Sequence, residues 1–374
     1  MQHFETVIIG GGPAGSSTGI SLLKQGKACC IIEKQQFPRE KTCGGLLTQK
    51  TIDMLEELDL SIPLENFYIQ KANRFRLLNK SKEIVTFDCK HDLYHSDRKI
   101  FDNLLIEEFK KRNGLLLENE KAIGINFREK IVSTEKQQIQ YDYLVCADGS
   151  KSLSNKLIKK KEWNMTIEAD IPAGLLPFDN QVIGLELGLR IHGYGWIFPK
   201  KEYVTIGFVC PFKEGKNFLK DFRQYLSYYG IDPQLPIRVK GATLPFGHND
   251  GQAVVPGAGI LLAGDAAGMV DSLTGEGIYF ALKSGALAAQ AILQGGNVTD
   301  TYQANSQWIF NIINRSYRVA LTFYRYQRPF QLFAKKNSAR LAYFCDNEVA
   351  HYNYGYNYNI RKKFFNFLKQ GVTP

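Results

Sequence analysis

Three glycines, Gly10, Gly12 and Gly15, are spaced Gly-x-Gly-x-x-Gly, and an acidic residue, Glu33, closes the next apolar run. That pattern suits a dinucleotide. Gly10 permits a tight turn, Gly12 lets the backbone approach a pyrophosphate, and Gly15 lets a helix pack closely on a strand, while Glu33 is placed for ribose hydroxyls. A pyrophosphate also needs the unpaired N–H groups and positive dipole end of a helix N-terminus. Pro13 fits the first position of such a helix, where a missing N–H leaves nothing unpaired.

The elements that must position these residues are readable around them. Residues 6–9 form a short β-branched apolar run, a helical pattern follows the glycines through Lys24 until Gly26 stops it, and 28–32 reads as a second buried strand. Strand, glycine turn, helix, strand and acid thus fall within the first 33 residues, the context that makes the glycine spacing informative. Two later strands also end in acids: 141–146 runs into Asp148-Gly149, and 260–263 runs into Gly264-Asp265. Asp97 is placed to cap a helix over 99–112, with Phe101, Leu104, Leu105 and Phe109 on its buried side and Gly114 ending it. Residues 277–293 form an apolar helical stretch. Strand-like runs at 122–127 and 131–134 precede the first of these acid-ended strands.

The central segment 181–211 alternates, predicting strands at 182–191, 196–199 and 203–209. Tyr194, Trp196 and Phe198 then share one face. They form either an aromatic wall for a flat or long apolar ligand or ordinary core packing. Cys43 precedes Gly44-Gly45, which places its thiol on a loop that a ligand can approach closely, or makes it a small buried filler.

With 374 residues the chain exceeds one ordinary core, so two closely packed domains are expected. Apolar residues at 44% and charged residues at 22% exclude a disordered or fibrous chain. Seven cysteines in no CxxC pair point to a reducing compartment, and the six histidines show no ligand spacing, so no metal is expected. The first ten residues read as a core strand rather than a signal peptide, and the small-residue stretch 253–270 is broken by Pro256, glycines and Asp265. A cytoplasmic location follows as the expectation. Of the net charge of +10, residues 302–374 carry eleven basic side chains against Asp346 and Glu348. That aromatic-rich fifth is either a helical cap with a solvated basic face or a peripheral contact with the inner face of a membrane. No nucleic-acid motif accompanies the charge.

The three ordered elements, Gly10 to Gly15, Asp148-Gly149 and Gly264-Asp265, resemble FAD-dependent enzymes of the p-hydroxybenzoate hydroxylase fold. Within that superfamily the sequence is most similar to the geranylgeranyl reductase family. Phe37-Pro38-Arg39-Glu40-Lys41-Thr42-Cys43-Gly44-Gly45 resembles its P-R-x-K-x-C-G-G element, and Arg98, Phe101 and Asp102 match its R-x-x-F-D helix start. Tyr194-Gly195-Trp196-Ile197-Phe198-Pro199 matches its Y-x-W-x-F-P motif, and Gly264-Asp265-Ala266-Ala267-Gly268 with Gly275-Glu276-Gly277-Ile278 matches its G-D-A-A-G and G-E-G-I elements. Departures are Ser272 in place of a usual Pro, Asn155 (followed by Lys156) in place of an Arg, and Ile191 in place of a Pro. The resemblance reaches to about residue 295.

The resemblance implies FAD held by Gly10, Gly12, Pro13, Ala14, Gly15, Glu33 and Lys34 around its ADP half, with Ala122, Cys43, Gly44 and Arg98 beside them. Asp148, Gly149, Gly264, Asp265, Gly275, Gly277 and Ile278 complete the set. Asp265 would accept a ribityl hydroxyl, or merely cap a helix, and the N–H groups near Gly277 and Ile278 would face the flavin pyrimidine. Tyr194, Trp196 and Phe198 would line the substrate, and Cys43 and Tyr194 are the candidate catalytic groups. The expected fold is α/β: a Rossmann-like FAD-binding domain in three parts, 1–70, 98–165 and 256–296. Substrate-domain strands at 71–97 and a β-rich domain at 166–255 are inserted, and 297–374 follows as a basic, aromatic, helical region. The implied activity is hydride transfer from reduced flavin to carbon–carbon double bonds of a polyprenyl or other apolar substrate. NAD(P)H or a reduced redox protein would be the electron donor. A monooxygenase or, more remotely, a halogenase of the same fold is the alternative, and a flavin carrier without turnover a third.

Overall fold

The computed structural model describes residues 1–349 apart from 157–162, 177, 180, 190–191, 212, 214, 246–248 and 256–258. Strand β1 (Gln2–Ile9) passes through the glycine turn into α1 (Pro13–Lys24) and β2 (Cys29–Ile32). Then come β3 (Leu46–Leu47), α2 (Gln49–Glu57), the long hairpin β4 (Gln70–Asn79) and β5 (Lys82–His95), and α3 (Arg98–Lys111). Next are β6 (Leu115–Leu117), β7 (Ala122–Asn126), β8 (Ile131–Thr134), β9 (Gln138–Cys146), β10 (Asn164–Pro172), β11 (Val182–Leu187), β12 (Tyr194–Pro199) and β13 (Tyr203–Pro211). Helix α4 (Phe218–Ser227), β14 (Val239–Leu244), β15 (Val254–Val255) and β16 (Ile260–Leu262) lead to the final helices. These are α5 (Ile278–Gln294), α6 (Val298–Arg325), α7 (Gln327–Lys336) and α8 (Ser338–Phe344).

Two sheets result. The first runs β15-β16-β9-β1-β2-β6, with the β7–β8 hairpin attached to β9, and its inner strands are parallel. Strands buried on both faces need continuous apolar runs, which is how the last three residues of β1 (7–9), β2 and β16 read. The second runs β14-β10-β13-β12-β11-β4-β5-β3 and is antiparallel except between β4 and β11. The sheets do not divide the chain quite where the sequence suggests. Leu46 and Leu47 already pair with β5 of the second sheet, and Val254 and Val255 already pair with β16 of the first. Strand β11 stops at Leu187, because Gly188 takes a positive φ of 77°. Ile191, Pro256, His248, His351 and the basic residues Arg361, Lys362, Lys363 and Lys369 lie outside the described residues.

Helix α1 lies against α5 through small side chains. A Cβ at Gly285 would stand 2.2 Å from the Ala14 carbonyl oxygen, and the Ser17 hydroxyl donates to the Leu282 carbonyl at 2.7 Å. One face of the second sheet packs Ile197, Ile206 and Phe208 on Phe222, Tyr225 and Leu226 of α4. Alternation sends Trp196, Phe198 and Val209 to the opposite face, which looks across a cavity at the first sheet. Helices α7 and α8 close on that face where Ala334 and Leu341 meet Leu77 and Leu187. Among the described residues no helix is long and apolar enough to cross a membrane.

Candidate active site

The three glycines of the turn divide their work. Gly10 has φ of 99°, and a Cβ there would stand 2.5 Å from the Ala147 carbonyl oxygen; a Cβ at Gly15 would lie 1.9 Å from the Gly10 carbonyl oxygen. Both are required by the protein itself. A Cβ at Gly12 meets only Arg39 Nη2, at 3.7 Å, so what Gly12 keeps clear is cavity. The turn therefore fits a pyrophosphate laid on the α1 N-terminus, where Pro13 holds the first helical position.

Glu33 sits buried at the end of β2. Its carboxylate accepts N–H bonds from Gly11 at 3.0 Å and Gln35 at 3.1 Å, so it shapes the turn, with lone pairs left over for ribose hydroxyls. Arg39 reaches it at 3.6 Å and also pairs with Asp102 at 3.2 Å, while Arg98 forks onto the same Asp102 at 2.7 and 2.8 Å. Arg98 thus lines the cavity from an anchored position. Arg39 was not singled out as a site residue from sequence, although its motif was. Lys34 and Ala122 flank the far end of the dinucleotide groove, next to Glu120 and Lys121.

Asp148, Gly149, Asp265, Gly275, Gly277 and Ile278 line the same cavity. Asp148 accepts the Leu153 N–H at 2.8 Å, which turns the chain after β9, and Asn155 donates to the Ser150 carbonyl at 2.8 Å. Gly264 takes φ of 60° beneath Ala281, which aims Asp265 into the cavity beside the α5 N-terminus at Gly277. Residues 271–277 are shaped by Asp271, which accepts from the Leu273 and Thr274 N–H groups at 2.8 and 2.9 Å and from the Ser316 hydroxyl at 2.7 Å. Those bonds supply the rigidity that Ser272, standing where the family carries Pro, does not. Glu276 pairs with Lys50 at 2.6 Å, both side chains being largely buried.

Tyr194, Trp196 and Phe198 stand together on the cavity side of the second sheet. Trp196 and Phe198 stack with ring centres 6.4 Å apart, and Tyr194 stands 6.3 Å from Trp196. They press on the Cys43 loop so tightly that a Cβ at Gly44 would come within 2.7 Å of Phe198 and 3.2 Å of Trp196 Nε1. A Cβ at Gly207, one strand over, would strike the Trp196 ring at 2.4 Å. The Tyr194 hydroxyl donates to the Thr274 carbonyl at 2.5 Å, and burial raises its phenol far above the ordinary value. That proton is engaged in holding the loop, so the structure gives Tyr194 a positioning part rather than a free acid. Cys43 is half-buried at the cavity wall; its N–H donates to Glu168 at 2.8 Å. Burial pushes the Glu168 carboxyl up despite that bond, and burial likewise pushes the neighbouring Lys200 ammonium down.

Gly10, Gly12, Glu33, Cys43, Arg98, Asp265 and the three aromatic residues line one cavity of about 1000 Å³, and Asp102, Asp271 and Lys50 brace its wall from behind. It runs from the glycine turn past Trp196 to a far wall of Leu77, Leu185, Phe323, Phe330, Phe333 and Phe344. Sequence reasoning read the last fifth of the chain as a helical cap or a membrane contact and missed its part in the cavity wall, for which its phenylalanines were the signal. Among the described residues no cluster suits a metal ion.

Glycine cradle, paired strand-end acids and helix N-terminus define an FAD-dependent oxidoreductase, and a family model described as an FAD binding domain matches residues 3–81. An uncharacterized protein of Methanosarcina barkeri is 30% identical, over 78% of this chain and 75% of that one. Menaquinone reductase of Mycobacterium tuberculosis is 27% identical over 77% and 76%, and geranylgeranyl diphosphate reductase of Rhodobacter capsulatus 27% over 80% and 78%. The solved structure of a geranylgeranyl bacteriochlorophyll reductase-like protein from Thermoplasma acidophilum superposes with a TM-score of 0.74 at 20% identity, covering 91% of each chain, and shows the shared fold. The chain belongs to the geranylgeranyl reductase family.

Proposed function

We propose that the protein saturates carbon–carbon double bonds in a polyprenyl or other long apolar compound. The observation that carries this reading is the cavity itself, which continues from the flavin motifs as an apolar channel to α6–α8 instead of ending at the aromatic wall. FAD, when bound and reduced, supplies the hydride that adds to one alkene carbon. The chain's own residues do the rest. Trp196 and Phe198 press the alkene flat, and the phenylalanines of the far wall exclude water from the remaining prenyl units. Tyr194 fixes the loop at Thr274. Cys43, whose backbone N–H Glu168 holds, stands at the cavity wall and is our candidate for protonating the second carbon. Helix α5 opens on the cavity wall at Gly277, where its N-terminal dipole would stabilise negative charge on a reduced flavin. A nicotinamide or a reduced redox protein is the proposed electron donor. The reductases named among the relatives act, by those names, on a prenyl diphosphate and a quinone, in keeping with this substrate class.

The test is reoxidation without air. Anaerobically reduced protein mixed with geranylgeranyl compounds is expected to regain its oxidised flavin spectrum as a saturated bond appears in the product. A flavin that stays reduced under argon, with a hydroxylated product formed only in air, would replace the reductase by a monooxygenase.

A further inference from the structure

Between Thr301 and Cys345 the sequence carries seven Lys and Arg and no Asp or Glu. Helices α6, α7 and α8 span this stretch. Their two sides differ in kind. Ala320, Tyr324, Ala334 and Leu341 are buried. Arg318, Leu321 and Arg325 recur at three- and four-residue spacing on the exposed side of α6, and Arg328, Leu332 and Lys335 continue the pattern along α7. The two leucines protrude among the cations, with 46% of Leu321 and 68% of Leu332 exposed. Exposed apolar tips also occur elsewhere on the molecule, as at Leu175 and Leu219, but here they recur within a row of cations. That mixture suits a bilayer interface, where apolar tips enter the acyl boundary while Arg and Lys stems lie flat and keep their charges at the headgroups.

The same helices wall the cavity from within through Val319, Phe323, Phe330 and Phe333. Ala339, Arg340 and Tyr343 of α8 do both: they line the cavity and are exposed to solvent, Tyr343 at 49%. Among the described residues, then, the apolar end of the cavity reaches the surface at α8. The other cavity-lining residues that are exposed, Lys34, Gln35, Lys121 and Lys151, lie at the dinucleotide end, so cofactor and apolar ligand have separate mouths.

We propose that the outer face of α6–α8 docks on an anionic lipid bilayer, and that the gap at Ala339 to Tyr343 is the portal through which a lipid-dissolved substrate passes from the bilayer into the cavity. The docking half rests on charge and exposed leucines alone; the portal half rests on the proposed substrate class. Exposed leucines favour a bilayer over a nucleic acid, whose phosphates would engage the cations and leave Leu321 and Leu332 in water.

The experiment uses the full-length, FAD-loaded protein and sedimentation with vesicles of phosphatidylcholine alone or mixed with phosphatidylglycerol. Wild type is expected to bind the anionic vesicles, weakly bind the neutral ones, and release as salt rises. Leu332→Asp and the pair Lys335→Glu, Lys336→Glu are expected to lose binding about tenfold, because each removes insertion or attraction. Neither site touches the cavity, so flavin content, melting temperature and turnover of a prenyl compound in detergent micelles should stay unchanged. Turnover of the same compound embedded in anionic vesicles should fall with the binding. Equal binding to both vesicle types, unchanged binding by the variants, or tighter binding to duplex DNA overturns the surface. If the vesicles are bound and the variants release them while no prenyl compound reoxidises the flavin, the docking face stands and the substrate reading falls.

Discussion

Glu168 accepts the Cys43 N–H at 2.8 Å across 125 residues of sequence, so a strand of the second sheet sets the height of a loop belonging to the first. Glu168→Gln keeps a carbonyl acceptor and should leave the loop in place. Glu168→Leu strands a partly buried N–H, at about 1–3 kcal/mol. Because burial raises the Glu168 carboxyl in the fold, its contribution to stability is full below the unfolded glutamate value and is lost as pH rises through the folded one. Glu168→Gln should therefore melt higher than wild type at pH 8, with the difference closing toward pH 4. Thermal melts across that range check it; a difference that grows toward acid contradicts the sign.

Gly12 and Gly15 should separate binding from folding. A Cβ at Gly12 enters open cavity, so Gly12→Ala is expected to keep the wild-type melting temperature without cofactor yet bind FAD at least about tenfold more weakly, and Gly12→Val not at all. Gly15→Ala drives a methyl to 1.9 Å from the Gly10 carbonyl oxygen and should lower stability in the absence of any flavin. Flavin absorbance after gel filtration and apo-protein melts read the two separately. Full occupancy of Gly12→Val would remove the pyrophosphate from this turn.

What could be read from sequence was what is local. The glycine turn, Pro13, the Asp97 cap, which accepts the Lys99 N–H at 2.7 Å, and the one-sided row Tyr194, Trp196, Phe198 depend on neighbours a few residues away, and spacing encodes them. Glu168 under Cys43, Arg39 between Glu33 and Asp102, and Lys50 on Glu276 depend on sheet order and loop return, which no periodicity carries. Tyr194 shows the middle case. Its place on the wall was legible, but its bond to Thr274, which takes it out of the acid's part, joins residues 80 apart. The far wall was hidden for another reason: amphipathic helices rich in Phe read alike whether they cap a core or line a channel.

His95 gives a pH test directly behind the aromatic wall. It is fully buried against Phe198, neither ring nitrogen has a hydrogen-bond partner, and burial followed by the nearby Lys200 charge lowers its pKa to about 3. The folded value lies below the unfolded value of 6.5, so the stability it confers is complete above pH 6.5 and drains as pH falls toward 3. The slope is about 1.4 kcal/mol per pH unit in that window. His95→Gln should lose this slope. Urea unfolding at pH 7, 6 and 5 measures it, and parallel profiles for wild type and variant would mean the imidazole is not held neutral.

Lys50 and Glu276 join helix α2 to the loop before α5, and the prediction rests on what each would leave behind. Their charged atoms are 2.6 Å apart with both side chains largely buried; Thr48 donates to the other carboxylate oxygen at 2.7 Å, and Lys50 also donates to the Val349 carbonyl at 2.6 Å. Burial lowers the Lys50 pKa, and the Glu276 charge opposes that shift, so the pair is held together by mutual need rather than by hydration. A buried ion pair need not add net stability over an apolar pair of similar volume, but breaking one by half costs about 3–5 kcal/mol, since an uncompensated charge stays inside. Lys50→Met should therefore destabilise by that amount, and adding Glu276→Leu should return a large part of it. The coupling in the cycle should exceed about 1 kcal/mol. Lys50→Met should also free the segment at Val349, seen as faster amide exchange there, while changes distant from the pair would not. Chemical denaturation of the FAD-loaded single and double variants decides the matter. If the two substitutions add, the pair is two independent charges and the loop before α5 takes its shape from Asp271 alone.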